Sequence, residues 1–501
     1  VQQPPAPDPP PAPGALPGWL AVVLVAGTSA AVLVVEILAG RLLAPYVGVS
    51  LETYTAIIGT VLTGIALGAA AGGWAADRTD PRRLLPALLV VGGGLAIASI
   101  PIVRSVARDI GRTEAAAGAL AVSALAFIPA AAVLSAVPPV VVKLQLRDLS
   151  RTGTTVGRLS AWSTAGAITG TFVTGFVLVA VAAVTTLIVV VGLLLAAAGA
   201  VLWVALRPRT RGGLAPPLAL VALALAGAAV TDSPCDVETR YYCASIVPAD
   251  DRASGRVLVL DDLRHSYVDL DDPSHLGFWY TRRAADAIDA FAPSGALDVV
   301  SIGGGALTLP TWIRATRPGS VQVVLEIDPD LVELVADELG RAAAPGLDVV
   351  TGDGRSALRD LPDDSADVIV GDAFGGRAVP WHLTTVEFVR DLARVLRPGG
   401  IYVVNVIDGP GQRFLRAAIA TIAQVLPHVA VMRSGSLVDG GGGNAVIAAG
   451  QEPLDASAWD ERRVRTRDHG AVLPDVASFA RGATVLTDDR APVDQLLLDG
   501  R

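Results

Sequence analysis

Through residue 230 the chain is a succession of long apolar runs, at 19–43, 54–75, 84–103, 115–142, 161–182, 185–206 and 214–230, parted by short polar stretches. Six of them reach the roughly 20 residues that a helix needs to cross the hydrocarbon of a bilayer, and they predict six transmembrane helices. The seventh is shorter and carries Pro216-Pro217, so it either spans, tilts in the interface or packs on the others. Small residues recur, as in Gly64-Ile65-Ala66-Leu67-Gly68 and Gly166-Ala167-Ile168-Thr169-Gly170, a pattern that lets helix backbones approach closely. From Glu238 the period changes. Short β-type runs at 241–247, 256–260 and 266–270 predict a small antiparallel sheet. Strands at 297–302, 321–327, 347–351, 368–371 and 401–406 then alternate with helices near 331–339, 356–361, 385–396 and 414–426, which predicts a doubly wound parallel sheet. Arg397-Pro398-Gly399-Gly400 should stop a helix and lead into the fifth strand, and Asp439 with the glycines at 440–443 should form a mobile hairpin before a last strand at 445–449.

Composition and charge sharpen this division. With 52% hydrophobic and 17% charged residues over 501 positions, the chain is too apolar to be wholly soluble and too long for one domain. Net charge is about +6 through Thr231 and about −15 beyond it. So acidic a second half is a poor partner for nucleic acid and a fair one for a small cationic molecule. The proline-rich residues 1–17 cannot build a core and read as a disordered tail; without a basic n-region they are not a signal peptide. Basic residues gather in the even loops (Arg78, Arg82, Arg83; Lys143, Arg147, Arg151, Arg158; Arg207, Arg209, Arg211), with Arg104, Arg108 and Arg112 narrowing the margin. The positive-inside rule therefore puts the even loops and the N-terminus in the cytoplasm. The second half lies outside if the seventh run spans and inside if it does not. Cys235 and Cys243 are the sole cysteines, and their spacing admits either a disulfide or two free thiols.

Candidate chemistry lies in the second half. Ser301-Ile302-Gly303-Gly304-Gly305-Ala306 follows the first strand, and Leu325-Glu326-Ile327-Asp328-Pro329 ends the second. Glycines there let the backbone turn tightly and approach a ligand, and an acid at the second strand end can take ribose hydroxyls. Glycine-rich turns also occur without ligands, but with Glu326 and Gly352-Asp353-Gly354 in place the pattern points to a nucleoside. Asp372 ends the fourth strand at the edge where such sheets carry their sites, although it could equally cap a turn. The five histidines are scattered, and no metal is expected.

From about residue 238 to 498 the chain resembles the spermidine synthase (polyamine aminopropyltransferase) family. As a whole it resembles the membrane-fused, transporter-like version, through Glu36-Ile37-Leu38-Ala39-Gly40-Arg41-Leu42-Leu43-Ala44-Pro45-Tyr46 and Gly72-Gly73-Trp74-Ala75-Ala76-Asp77-Arg78. The resemblance implies a multi-pass α-helical membrane domain (18–231), a small β-subdomain and linker (232–290), and an α/β, Rossmann-like class I methyltransferase-like domain (291–501). It implies transfer of an aminopropyl group from decarboxylated S-adenosylmethionine to a polyamine such as putrescine. Glu326 then matches the ribose-binding acid, Asp353 the residue near the adenine amino group, and Gly303, Gly304, Gly305 and Gly354 the donor-binding turns. Asp372 matches the proton-accepting, acceptor-binding aspartate, His265 stands where a donor-contacting Gln is usual, and Tyr280 resembles the tyrosine flanking the acceptor channel.

Two departures bear on activity. Ala306 replaces the acid that contacts the donor's aminopropyl ammonium, and Phe374-Gly375-Gly376-Arg377 lacks a second Asp after Asp372. Asp261, Asp262, Asp269, Asp271 or Asp272 could compensate, or be merely solvated. Tyr280 can belong to the core instead, beside Phe278 and Trp279, and His382 has no evident partner, reading as structural or as a gate. Glu36 lies within an apolar run, where a carboxylate faces an interior or a partner such as Arg41. The leading expectation is a membrane-bound aminopropyltransferase. Its alternatives are another S-adenosylmethionine-dependent transferase, such as a methyltransferase, and a non-catalytic extracytoplasmic or transport-coupled protein. Expected partners are a small cationic amine and membrane lipid, and a homo-oligomer is compatible with this reading.

Overall fold

The computed structural model describes residues 16–49, 51–109, 115–146, 152–206, 213–341, 344–376, 378–466 and 468–498. Most of the proline-rich tail, Arg112, Arg147, Arg151, Arg207, Arg209, Arg211 and Arg377 lie outside them. The chain divides into two compact units, 1–243 and 244–501. The first therefore keeps the segment that follows the apolar runs.

In that unit six helices are long and apolar enough to cross a membrane: Gly18–Val47, Leu51–Arg78, Pro81–Val106, Ala117–Gln145, Thr152–Val181 and Val184–Leu206. Pro81 opens the third where its missing N–H costs nothing, and the Asp80 carboxylate caps it by accepting from Arg82 N at 3.0 Å. Glycines set the packing. A Cβ on Gly68 would lie 2.0 Å from the Ala132 carbonyl oxygen, one on Gly166 2.1 Å from that of Ala26, and one on Gly93 2.3 Å from that of Gly192. Any side chain at these positions would force apart the second and fourth, first and fifth, or third and sixth helices. The seventh helix, Ala215–Val230, runs beside the third in the same direction, with Gly94 against Leu220 and Val221 and Gly227 against Pro101. Glu36 is half-buried on the first helix, and the Arg41 guanidinium is turned to the carbonyls of Thr239 and Arg240. Cys235 and Cys243 are disulfide-bonded, with Cα atoms 5.1 Å apart, which settles the choice left open by their spacing.

A short strand, β1 (Val237–Glu238), lies in the first unit. The second unit begins with an antiparallel sheet of β2 (Cys243–Pro248), β3 (Gly255–Leu260) and β4 (Leu263–Asp269). Its main sheet comprises β5 (Asp298–Ile302), β6 (Val321–Glu326), β7 (Leu347–Thr351), β8 (Ala366–Gly371), β9 (Leu396–Asp408), β10 (His428–Ser434), β11 (Gly443–Gly450) and β12 (Gly470–Val472). The strand order is β12-β10-β11-β9-β8-β5-β6-β7. The strands from β7 to β9 are parallel, whereas β11, β10 and β12 are antiparallel, so the sheet is mixed rather than wholly parallel. Apolar residues from both faces fill two cores, one with Phe388, Leu392 and Phe414 and the other with Ile288, Trp312 and Trp459.

Several local expectations change. Arg397-Pro398-Gly399-Gly400 bulges out of β9 itself, since Leu396 pairs with Ala366 while Ile401 pairs with Val368. The preceding helix stops at Val395. The glycine run follows a helical turn, Gly435–Val438, and leads straight into β11 rather than forming a simple hairpin. Helices Trp279–Phe291, Thr308–Thr316 and Ala456–Thr466 are not evident from periodicity; the first two begin with aromatic, threonine or proline residues that favour other structures, and the second is only 9 residues long.

Candidate active site

The C-terminal ends of β5, β6, β7 and β8 bring the glycine turn, Glu326, Asp353 and Asp372 to one edge of the sheet. Gly303 has φ +94°, and a Cβ there would meet the Asp372 carbonyl oxygen at 2.5 Å, so glycine is required where the two strand ends approach. Glu326 is buried under the same turn. One carboxylate oxygen accepts from Gly304 N at 2.8 Å and Gly305 N at 3.3 Å, and the other from Asp328 N at 3.1 Å. Burial raises its pKa against these hydrogen bonds. A carboxylate has about four acceptor sites, so lone pairs remain for ligand hydroxyls.

Asp353 caps the helix Gly354–Asp360 by accepting from Ser356 N at 2.9 Å. Its other oxygen is 2.9 Å from His382 Nε2, so the histidine does have a partner, one that the sequence separation of 29 concealed. Burial opposes ionisation of Asp353, but the hydrogen bonds from Ser356 and His382 outweigh it and hold the carboxyl below its ordinary range. A Cβ on Gly354 would strike Ile302 at 2.8 Å, which keeps this turn tight against β5.

Asp372 follows β8. Burial pushes its carboxyl up to about 7, partly offset by hydrogen bonds from Asn405 and Tyr280. Asn405 Nδ2 donates at 3.1 Å, and Asn405 Oδ1 in turn accepts from Asn444 Nδ2 at 3.0 Å. The Tyr280 hydroxyl, whose single proton can go either to Asp372 or to the His265 carbonyl at 3.1 Å, joins the small sheet to this centre, and its pKa is raised by burial and by Asp372. Tyr280 is thus tied to the site rather than confined to the core. His265 is held neutral by burial, its pKa lowered to about 4. Beside it, Ser266 Oγ accepts from Ala306 N at 3.3 Å, and a Cβ on Gly305 would collide with that hydroxyl at 2.6 Å.

The sequence reading missed Asn405, Asn444 and Ser266. A signal existed for Asn405, the one amide side chain in the apolar stretch 401–406. Two of the acids considered as substitutes for the missing pair are engaged elsewhere. Asp269 is fully buried, accepts from Asp271 N and Asp272 N at 3.0 Å each and pairs with Arg252 at 2.5 Å. Asp272 is engaged with Ser274 and Arg252.

Residues 299–404 match the family model described as "Methyltransferase domain". Over 251 residues the chain is 28% identical to a probable polyamine aminopropyl transferase of Bifidobacterium longum, covering 46% of this chain and 54% of the relative. It is 29% identical over 142 residues to the polyamine aminopropyltransferase of Chromobacterium violaceum, covering 28% of this chain and 53% of that one. The chain spans about half the length of these curated relatives. Among solved structures it is similar to a probable spermidine synthase from Corynebacterium glutamicum, with TM-score 0.48 and 27% identity over 50% of this chain and 95% of that one.

Proposed function

We propose that the second unit is an aminopropyltransferase-like enzyme, taking decarboxylated S-adenosylmethionine as donor and a small polyamine as acceptor. The observation that carries this is Asp372, a carboxyl with a pKa of about 7 at the strand end beside the glycine turn, hydrogen-bonded to Asn405 and Tyr280. A base that must take a proton from an ammonium at neutral pH works best with a pKa in this range. The cradle fits a nucleoside: Gly303 and Gly305 adopt positive φ where side chains would collide, and Glu326 is fixed with acceptor capacity to spare. When bound, the sulfonium donor supplies an electrophilic carbon, whose bond to sulfur breaks as the amine nitrogen attacks, leaving a neutral thioether. Glu326 then holds the ribose, and Asp353, with His382, faces the base. Asp372 accepts the proton that the attacking amine releases, and Tyr280 orients that carboxyl.

A second reading, methyl transfer from S-adenosylmethionine, is favoured by Ala306. This residue is fully buried and brings no carboxylate for a donor ammonium. Incubation of the full chain with a polyamine and either donor distinguishes the two. Methylthioadenosine with an aminopropylated amine is the expected product pair; S-adenosylhomocysteine with a methylated product selects the second reading, and no turnover with either donor removes both.

A further inference from the structure

The two ends of the helical unit are identified by its own contacts. At one end Asp77, closing the second helix, meets Lys143 of the fourth at 2.7 Å, and Gln145 Nε2 donates to the Leu16 carbonyl at the start of the first at 2.7 Å. At the other end lie Arg41, Arg104 and Thr185, and all three hold the segment 231–243 that follows the seventh helix. The buried Arg104 donates through Nη1 to Thr231 O at 3.1 Å and Ala228 O at 3.3 Å. Its Nη2 lies 3.2 Å from Thr185 Oγ1 and 3.6 Å from the Glu238 carboxylate. That carboxylate accepts from Thr185 N at 3.0 Å and also from the Thr185 hydroxyl. Arg41 donates to Thr239 O at 3.1 Å and to Arg240 O, and Arg108 faces Asp232 at 3.9 Å. The disulfide closes a loop within this same collar.

An even number of crossings would return the chain to the end where it started. It leaves instead at the opposite one, because the seventh helix lies along the third in the same direction, from Leu214 packed with Val90 to Ala228 at Arg104. Sixteen residues give a length of about 24 Å, about 6 Å short of the roughly 30 Å hydrocarbon core, a mismatch that local thinning of the bilayer accommodates. On the helix ends at the starting side stand Arg78, Arg82, Arg83, Lys143 and Arg158, and Arg147, Arg151, Arg207, Arg209 and Arg211 fall in sequence between the fourth and fifth or the sixth and seventh helices. At the collar end stand Arg41, Arg104 and Arg108, all three engaged by the collar, and Arg112 falls in sequence between the third and fourth helices. Charge bias places the starting end in the cytoplasm. A persistent disulfide belongs to an oxidising compartment, an independent argument for the same side assignment.

We infer that the described helices cross the membrane seven times, that residues 231–243 form an extracytoplasmic collar latched by Cys235–Cys243, and that the second unit emerges on the extracytoplasmic side. This inference rests on the first unit alone and stands apart from the transfer reaction. It has a consequence for that reaction: any nucleoside donor synthesised in the cytoplasm must be exported before the second unit can use it.

The test is labelling of the full chain in intact cells with a membrane-impermeant maleimide, using Ser294→Cys on an exposed turn of the second unit and Thr79→Cys between the second and third helices. Ser294→Cys is expected to label in intact cells, Thr79→Cys only after permeabilisation, and the native pair only after reduction. Protease added to intact cells, with the wild-type chain, gives a second measurement: the second unit should be degraded while the helices remain. Labelling of Ser294→Cys only after permeabilisation, or protection of the second unit from protease, overturns the assignment. Reactive native thiols in the unreduced protein overturn the latch.

Discussion

At Asp372 a single carboxyl links stability to chemistry. Its folded pKa, about 7, lies above the ordinary value of 3.8, so folding favours the protonated form. The associated stability is fully present below about pH 4 and is lost as pH rises through about 7. Asp372→Asn, neutral at every pH, should therefore melt close to wild type at pH 4 and higher than wild type at pH 8, by a few kcal/mol at most. Thermal denaturation across that range checks this, and a difference that shrinks with rising pH would contradict it. The same substitution should lower the transfer rate by about 10²-fold or more, read in single-turnover product assays. Glu326 makes a separate case. Glu326→Ala should weaken binding of a nucleoside such as methylthioadenosine by roughly 1.5–3 kcal/mol in calorimetry, the scale of a hydrogen bond to a charged group.

Between elements, β9 and β11 act on the site through Asn405 and Asn444, which line up behind the Asp372 carboxylate. Asn405→Leu removes a hydrogen bond that favours the ionised form. The rising limb of the pH–rate profile should then move to higher pH, whereas a purely structural role would lower the rate without moving the limb. In the helical unit the glycines provide a similar contrast. Gly68→Val drives a side chain into the Ala132 backbone and should destabilise the detergent-solubilised protein by about 3 kcal/mol, the upper range for overpacking. Gly73→Val, on the same helix, meets nothing within 4 Å and should leave the thermal midpoint near that of wild type.

For the whole molecule, the division at Cys243 separates a helical unit from one built on an eight-stranded mixed sheet. Units with independent cores need not unfold together. In urea and mild detergent, fluorescence of Trp279, Trp312, Trp381 and Trp459 in the second unit should change in a transition that leaves most far-ultraviolet helical signal intact. Coincident loss of both signals would indicate one cooperative structure. Segment 231–243 should remain with the helical unit, since Arg41, Arg104 and Thr185 anchor it there.

Hydropathy alone determined the six long helices, because spanning a bilayer demands continuous apolar length, and strand–helix alternation with the Gly303–Gly305 turn determined a Rossmann-like α/β unit. The positions of Glu326, Asp353 and Asp372 at strand ends were legible too, since acids that close apolar strands stand out by contrast. Tertiary structure decided what depends on residues far apart in sequence. It paired His382 with Asp353, joined Asn444 and Asn405 to Asp372, turned Arg41 from Glu36 toward the collar and committed Asp269 to Arg252. It also fixed the antiparallel half of the sheet and the direction of the seventh helix. Local pattern records which side chains must be buried. The partners they meet, and the pKa values that follow, are set by packing between distant segments.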